Sequence, residues 1–192
     1  MKQFLSLLLL SSIVVISSSQ KSQAQAPAGY KTGYVIAADG VRKDGFIKES
    51  FKSKASFVFQ SADGKKITYT GNAVTEAGID GVVYATYLSD FFKVISTGAK
   101  VTLYQKVSDA SGNVVYNGSE VIGINPGTEG SINDQFIRTA GMDKLVLITK
   151  KNFEETVAKH CTDCPAVVEG VRSNKLNYEE IEKAVKLYNE CR

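Results

Sequence analysis

Between residues 29 and 149, short apolar segments alternate with clusters of turn-forming residues. Asp39-Gly40 and Asp63-Gly64 each separate two such segments, which predicts two β-hairpins. The segments that we assign to strands are residues 34–36, 46–47, 57–59, 67–69, 82–88, 91–96, 101–107, 114–116 and 144–148. Short strands at this close spacing predict an antiparallel sheet that is strongly curved, or a partly closed barrel. Residues 125–133, which include Pro126, are predicted to form a mobile loop.

After residue 149 the apolar positions follow the helical period. Phe153, Val157 and Cys161 recur every four residues and form one face of a first predicted helix. A second helix is predicted to begin with Asp163 as its N-cap and Pro165 in its first turn. Its apolar face consists of Cys164, Val167, Val168 and Val171.

The third predicted helix has the most complete set of start signals. Asn177 stands at the N-cap and Glu180 three residues later, which is a variant of the capping box. Leu176 and Ile181 occupy the two positions of a hydrophobic staple. The apolar face of this helix consists of Tyr178, Ile181, Ala184, Val185, Tyr188 and Cys191.

Strands followed by helices are typical of the α+β class, in which helices pack on one face or at one end of an antiparallel sheet. We therefore expect a single mature domain over residues 25–192. Residues 29–149 would form its β-rich part, and residues 150–192 a helical part of about three helices.

The first 24 residues have the layout of a secretory signal peptide. Lys2 provides the positive charge, residues 4–16 are an apolar run broken only by serines, and Ser22-Gln23-Ala24 supplies the small residues of a cleavage site. The run is too short to span a bilayer. Cleavage after Ala24 would leave 192 − 24 = 168 residues. We expect a periplasmic or extracellular product with no transmembrane segment, and association with the outer membrane is a further option.

Composition narrows the choice of function. The chain has 23 Lys and Arg against 20 Asp and Glu, and two of the lysines lie in the leader, so the mature part carries 21 − 20 = +1. This near-neutral charge argues against binding to nucleic acid. One histidine, no tryptophan and three cysteines offer few groups for catalysis or for a cofactor. We expect a non-enzymatic binding or interaction module without a cofactor, whose partner is an envelope protein or a small ligand.

Three short motifs occur in order along the chain. The first is Gly33-Tyr34-Val35-Ile36 with its Asp39-Gly40 turn and Gly45-Phe46-Ile47, and the second is residues 94–104, which contain Gly98. The third is Asp163-Cys164-Pro165 followed by Tyr188-Asn189-Glu190-Cys191. Over about residues 30–192, they resemble a group of uncharacterised exported proteins of the Bacteroidota. The resemblance implies a cell-envelope location and a β-rich part followed by helices, and it implies no reaction, ligand or catalytic residue.

All three cysteines lie on the apolar faces of the predicted helices. In an oxidising compartment the expected outcome is a structural disulfide. Cys164 and Cys191 face inward from two helices that must pack together, so their side chains can meet, and Cys161 with Cys191 is the alternative pairing. The bond would close a loop of about 27 residues and contribute roughly 3–4 kcal/mol on the chain-entropy model. The remaining thiol would be buried and inert.

Two chemical alternatives use the same residues. Cys161 and Cys164 stand three apart, as in thiol oxidoreductases, and Cys191 would then be the resolving thiol. His160, Cys161, Cys164 and Cys191 also offer the four ligands of a tetrahedral zinc site. Asp163, between the two cysteines, disfavours a thiolate by its negative charge, which argues against the redox alternative. His160 and Cys161 are adjacent and point in different directions on a helix, which argues against the zinc site.

The aromatic residues suggest one more function, that of a carrier. A curved sheet can hold a small apolar ligand on its concave side. The aromatic residues that we expect to line this side are Tyr84, Tyr87, Phe91, Phe92 and Tyr104.

Overall fold

The structure is a computed structural model that describes residues 25–191. The predicted signal peptide, residues 1–24, and its cleavage site lie outside the described residues. Within residues 25–191, none of the helices has the length and apolar character that crossing a bilayer requires.

Strands occupy most of the chain as far as residue 148. In chain order they are β1 Lys31–Ala37, β2 Arg42–Ser50, β3 Ser56–Gln60, β4 Lys66–Thr70, β5 Val74–Ile79, β6 Val82–Tyr87, β7 Asp90–Ser96, β8 Val101–Lys106, β9 Val114–Asn117, β10 Glu120–Ile124, β11 Gln135–Thr139 and β12 Val146–Ile148. The helices are α1 Phe51–Lys54, α2 Phe153–His160, α3 Pro165–Arg172 and α4 Ile181–Glu190, and a 3-10 turn at Tyr178–Glu180 leads directly into α4.

Ten of these strands form one antiparallel sheet in the order β12-β11-β8-β7-β6-β5-β1-β2-β3-β4. The sheet is open within the described residues, with β12 and β4 at its edges. Strands β9 and β10 pair only with each other and stand outside the large sheet. An antiparallel sheet with its three long helices at the end of the chain places the protein in the α+β class.

The half of the sheet around β7 and β8 is covered on both faces. Helices α2–α4 pack on one face, against Val101 and Leu103 of β8 and Ile137 of β11. Tyr104 and Phe136 point to the opposite face, where they pack with Phe92 and Leu145. The chain segment between β8 and β11 lies over this second face, since Gly130 sits close to the ring of Phe136.

The other half of the sheet buries a cluster rich in aromatic rings. Phe57 of β3 and Phe91 of β7 meet there, with ring centroids 5.6 Å apart. Phe51 of α1 packs into the same cluster, 4.7 Å from the ring of Phe91 and 4.9 Å from that of Tyr84. The short helix α1 therefore serves to place one large ring in the core.

The five strand aromatics predicted to share one concave surface lie on two faces. Tyr84 and Phe91 pack with the β3 rings, whereas Phe92, Tyr104 and Tyr87 pack on the opposite face. The reason is the alternation of side chains along a strand, which sends the consecutive Phe91 and Phe92 to opposite sides. The common concave lining predicted for these residues is therefore wrong.

Helix α1 and strands β5, β10 and β11 were not predicted from the apolar pattern. In β5 the apolar signal is weak because the strand contains Ala77 and Gly78. The ring of Tyr34 from β1 lies against Gly78, where a Cβ atom would stand 2.0 Å from the ring carbon Cε1. The close approach of β1 and β5 thus requires glycine at position 78, and this small residue weakens the apolar pattern by which β5 could have been predicted.

The helical part agrees with the prediction except at two starts. The N-cap of α3 is Cys164, one residue after the predicted Asp163, and Pro165 is the first helical residue. Asn177 precedes a 3-10 turn, and α4 begins only at Ile181. All residues of the three predicted apolar faces except Val168 belong to one cluster or pack against it, and this cluster also contains Val101 and Leu103 of β8.

Candidate functional site

Cys164 and Cys191 form a disulfide, with their Cα atoms 5.9 Å apart. Because Cys164 is the N-cap of α3 and Cys191 directly follows α4, the bond joins the start of one helix to the end of the other. This confirms the predicted pairing. The alternative bond between Cys161 and Cys191 does not form, and Cys161 is free.

The thiol of Cys161 lies at the end of α2 with only 7% of the residue exposed. Burial, assisted by the negative charge of Asp163, raises the pKa of this thiol to about 12. A thiol oxidoreductase needs an accessible thiolate near neutral pH. Cys161 has neither property, and Cys164 is already bonded to Cys191.

The surroundings of His160 do not favour a role as a metal ligand. Its Nδ1 atom lies 3.1 Å from the hydroxyl of Thr139 on β11, and partial burial lowers the pKa of the ring. Among residues 25–191 no three His, Cys, Asp or Glu side chains are arranged to hold a metal ion. The arrangement does not bring the four proposed zinc ligands together.

Asp163 joins the helices to the sheet through two hydrogen bonds. The ammonium group of Lys100 and the hydroxyl of Tyr188 each donate to a different carboxylate oxygen, both at 2.7 Å. These donors, Lys100 foremost, lower the pKa of Asp163. Burial, together with the same carboxylate, raises the pKa of Tyr188 to about 12.

Asn189, the residue after Tyr188, also joins α4 to the sheet. Its Oδ1 atom accepts hydrogen bonds from the backbone amides of Lys100 and Val101, and its Nδ2 atom donates to the carbonyl of Val101. Gly98 leaves room for this side chain, since a Cβ there would stand 2.0 Å from Asn189 Cγ. Two of the three recognised motifs, around Gly98 and around the cysteines, therefore meet in a structural clamp.

A second candidate site, for binding a partner, is the hairpin arm. We define the hairpin arm as residues 114–124, that is β9, β10 and the turn between them. Cross-strand pairing places Val114 opposite Ile124 and Tyr116 opposite Val121, so these four side chains share one face. They are 46 to 70% exposed, and Ile122 at the neighbouring bulge is 61% exposed. No residue of this face carries a charge.

The arm is fixed to the sheet at its base by Asp90, the first residue of β7, which is fully buried. One carboxylate oxygen accepts hydrogen bonds from the Ser108 hydroxyl at 3.1 Å and the Ala110 amide at 2.7 Å, before the arm. The other accepts from the amide and the hydroxyl of Thr128, after the arm, at 2.9 and 2.7 Å. One side chain thus holds both stems.

Lys106, at the end of β8, is the counter-ion of Asp90 and is equally buried. Its ammonium nitrogen lies 3.4 Å from the Asp90 carboxylate and donates to the carbonyls of Thr128 and Gly130, both at 3.0 Å. The predicted mobile loop, residues 125–133, is therefore attached to the sheet at Thr128 and Gly130, and its Asn133 amide also donates to the carbonyl of Lys106.

A cleft of about 380 Å³ opens at the edge of the aromatic cluster. Phe51, Tyr84 and Val107 form its apolar part, and Glu49 stands among the polar residues at its rim. Burial, together with the charge of Glu49, raises the pKa of Tyr84. Of the five aromatic residues predicted to line a ligand site, Tyr84 borders this cleft.

Comparison with known proteins finds no match, whether with protein-family models, with curated proteins or with solved structures.

Sequence reasoning did not identify the Asp90–Lys106 pair. A signal was present, because both residues fall in register with the core residues Phe92 and Tyr104 on alternate strand positions.

Proposed function

We propose that this chain is an exported, non-enzymatic interaction module of the cell envelope, allied to the Bacteroidota group that its motifs resemble. We further propose that its binding surface is the apolar face of the hairpin arm.

The observation that carries this function is an apolar surface held in a fixed position. An isolated two-stranded hairpin is marginally stable in water, yet this one exposes four large apolar side chains on one face. A buried ion pair is costly to desolvate, and a recognised use of such pairs is to specify one arrangement. The Asp90–Lys106 pair directs its hydrogen bonds to the two stems of the arm. A simple connection between β8 and β11 needs neither feature.

Site-specific photo-cross-linking tests this function. A photoreactive amino acid at position 121, on the apolar face, should give a cross-linked product in cells that make the protein. The same amino acid at position 117, on the opposite face of β9, is the matched control and should give much less. If neither position yields a product, the arm is not a binding surface.

A second function, that of a carrier, is supported by two features of the sheet. Phe57 and Phe91 are in contact, although their strands are five strand spacings apart, about 24 Å in a flat sheet. Thr70 and Val74 end β4 and begin β5, and the four residue steps between them span about 15 Å at most. The same two strands would be about 19 Å apart in a flat sheet. We therefore propose that the sheet is strongly curved here and that the cleft beside Tyr84 opens into its concave side.

The carrier function is tested by blocking the cleft. Ser53→Trp places a large side chain at the rim, and Lys54→Trp places one on the same helix outside the cleft. Binding of a fluorescent fatty-acid analogue should be weakened at least about tenfold by the first substitution and little by the second. Equal binding by both variants, or none by the unmodified protein, would exclude the cleft as a carrier site.

A further inference from the structure

We infer that the partner of the hairpin arm is a second copy of this chain, packed face to face across a two-fold axis, an inference that rests on the function proposed above. Three features of the arm favour a second copy: the position of its apolar residues, the absence of charge from its apolar face, and the fit of two such faces.

The position of the apolar residues favours a protein partner over a lipid bilayer. The tip of the arm consists of Asn117, Gly118, Ser119 and Glu120, all polar or without a side chain. A hairpin that entered a membrane by its tip would have to bury this charge and these polar groups in hydrocarbon. The apolar side chains lie along the side of the arm instead, where they suit packing of one sheet on another.

Charge favours a second copy over a different protein. Glu120 is the only charged residue in the arm, and its pairing with Asn117 places it on the face opposite Tyr116 and Val121. Charge complementarity is the usual means by which an interface selects an unlike partner, and this face has none. Two identical faces meet without repulsion between like charges, and a net charge near +1 for residues 25–192, by the count of 21 against 20, adds little repulsion at longer range.

The four side chains are also arranged for a two-fold contact. They form two rows across the hairpin, Tyr116 with Val121 near the tip and Val114 with Ile124 near the base. A two-fold axis that lies between the two faces and runs perpendicular to the strands, in the commonest symmetry of homodimers, would lay the aromatic row of each copy over the aliphatic row of the other. This arrangement removes all four side chains from water in both copies.

The size of the face sets the expected strength. A stable interface buries about 800 Å² on each partner, contributed by some twenty residues, and the arm offers far fewer. We therefore expect a dimer that forms at micromolar concentration and dissociates on dilution. Because Asp90 and Lys106 fix the arm in advance, little ordering of the arm is needed on association.

Sedimentation equilibrium of the purified mature protein tests the dimer. The molecular mass should rise from one chain to two as the concentration is raised about a hundredfold through the micromolar range. Val121→Lys and Ile124→Lys should each raise the dissociation constant at least about tenfold, because a charge would be buried in the interface. Asn117→Lys, on the other face, should leave the constant unchanged. Circular dichroism of all three variants checks that they are folded.

A single-chain mass at every concentration, or a dimer insensitive to both apolar-face lysines, would overturn this inference. The photo-cross-linking at position 121 separates it from the proposed function. A product of twice the chain mass, with the link mapped to the peptide that holds Val114 or Ile124, is expected. A product with a different protein would refute the dimer and leave the interaction module standing, and the absence of any product would refute both.

Discussion

At the scale of single residues, Cys161 shows how burial suppresses chemistry. Its thiol belongs to the same apolar cluster as Cys164, and its pKa of about 12 keeps it protonated at neutral pH. We expect iodoacetamide to leave Cys161 unmodified in the native protein at pH 8 and to modify it rapidly after denaturation without reduction. Mass spectrometry of the alkylated peptide measures this, and rapid native labelling would contradict the burial.

The same thiol contributes to the dependence of stability on alkaline pH. An unfolded thiol ionises near pH 8.5, whereas the folded one does so near 12. The contribution of Cys161 is therefore complete below about pH 8.5 and is lost as the pH rises toward 12. The difference in unfolding free energy between the unmodified protein and Cys161→Ala should shrink over this range. A difference that stays constant with pH would show that the folded thiol has an ordinary pKa.

Asn189 is the residue whose loss we expect to matter most among the exposed or partly exposed ones of α4. Asn189→Ala removes three hydrogen bonds to the backbone of Lys100 and Val101, where β8 begins, and should lower the free energy of unfolding by about 2–3 kcal/mol. Glu190→Ala, at the exposed neighbouring position, should change it by less than about 0.5 kcal/mol. Urea denaturation of both variants provides the comparison, and equal effects would refute the clamp.

Residues differ in how far the sequence reveals them. Helical periodicity places Cys164 and Cys191 on faces that must pack together, which makes a bond between them predictable as one of two options. It places Cys161 on such a face as well, so the sequence leaves the partner of Cys191 open. The role of Asn189 is not predictable, because its partners are backbone atoms of Lys100 and Val101, which lie 89 and 88 residues away. A backbone partner leaves no mark on the type of residue at its position.

At the scale of elements, the Asp90–Lys106 pair determines where the hairpin arm stands. Lys106→Met leaves a buried carboxylate without its counter-ion and should cost about 3–5 kcal/mol of unfolding free energy. Amide hydrogen exchange should also speed up in residues 107–134, which the pair holds to the sheet.

Lys183→Met is the control for this change, since Lys183 forms an exposed ion pair with Glu180 and such pairs contribute at most about 1 kcal/mol. The double variant Asp90→Asn, Lys106→Met should be more stable than the sum of the two single changes predicts, because the two groups interact directly. Strict additivity would mean that the two side chains do not act as a unit.

The elements predicted correctly are those with large apolar residues in a regular period, such as β3, β7 and α4. Strand β5 escaped prediction because packing against Tyr34 demands small residues at Gly78, and β11 because Gln135 and Arg138 interrupt its apolar residues. The pattern of apolar residues along an element indicates how much of the element is buried. It does not indicate how closely the neighbouring elements approach it.

At the scale of the whole molecule, the disulfide stabilises one layer. Replacing both Cys164 and Cys191 with Ala should lower the free energy of unfolding by about 3–4 kcal/mol, the value expected for a closed loop of this length. Hydrogen exchange should accelerate in α3 and α4, whereas β1–β4, whose core residues belong to a different cluster, should keep their native rates. Equal acceleration throughout, or none, would contradict this division of the core.

The order of the strands also constrains how the chain reaches its native state. Strands β1 to β4 pair in sequence, as do β5 to β8, and each of these turns can close locally within microseconds. The two series join through the pairing of β1 with β5, where Val35 meets Ala77 across 42 positions of chain. Contacts between distant residues carry the entropy of closing a long loop and form late. We therefore expect β1 to pair with β5 late in folding. The rate of folding then depends on this pairing more than on the stability of any single hairpin.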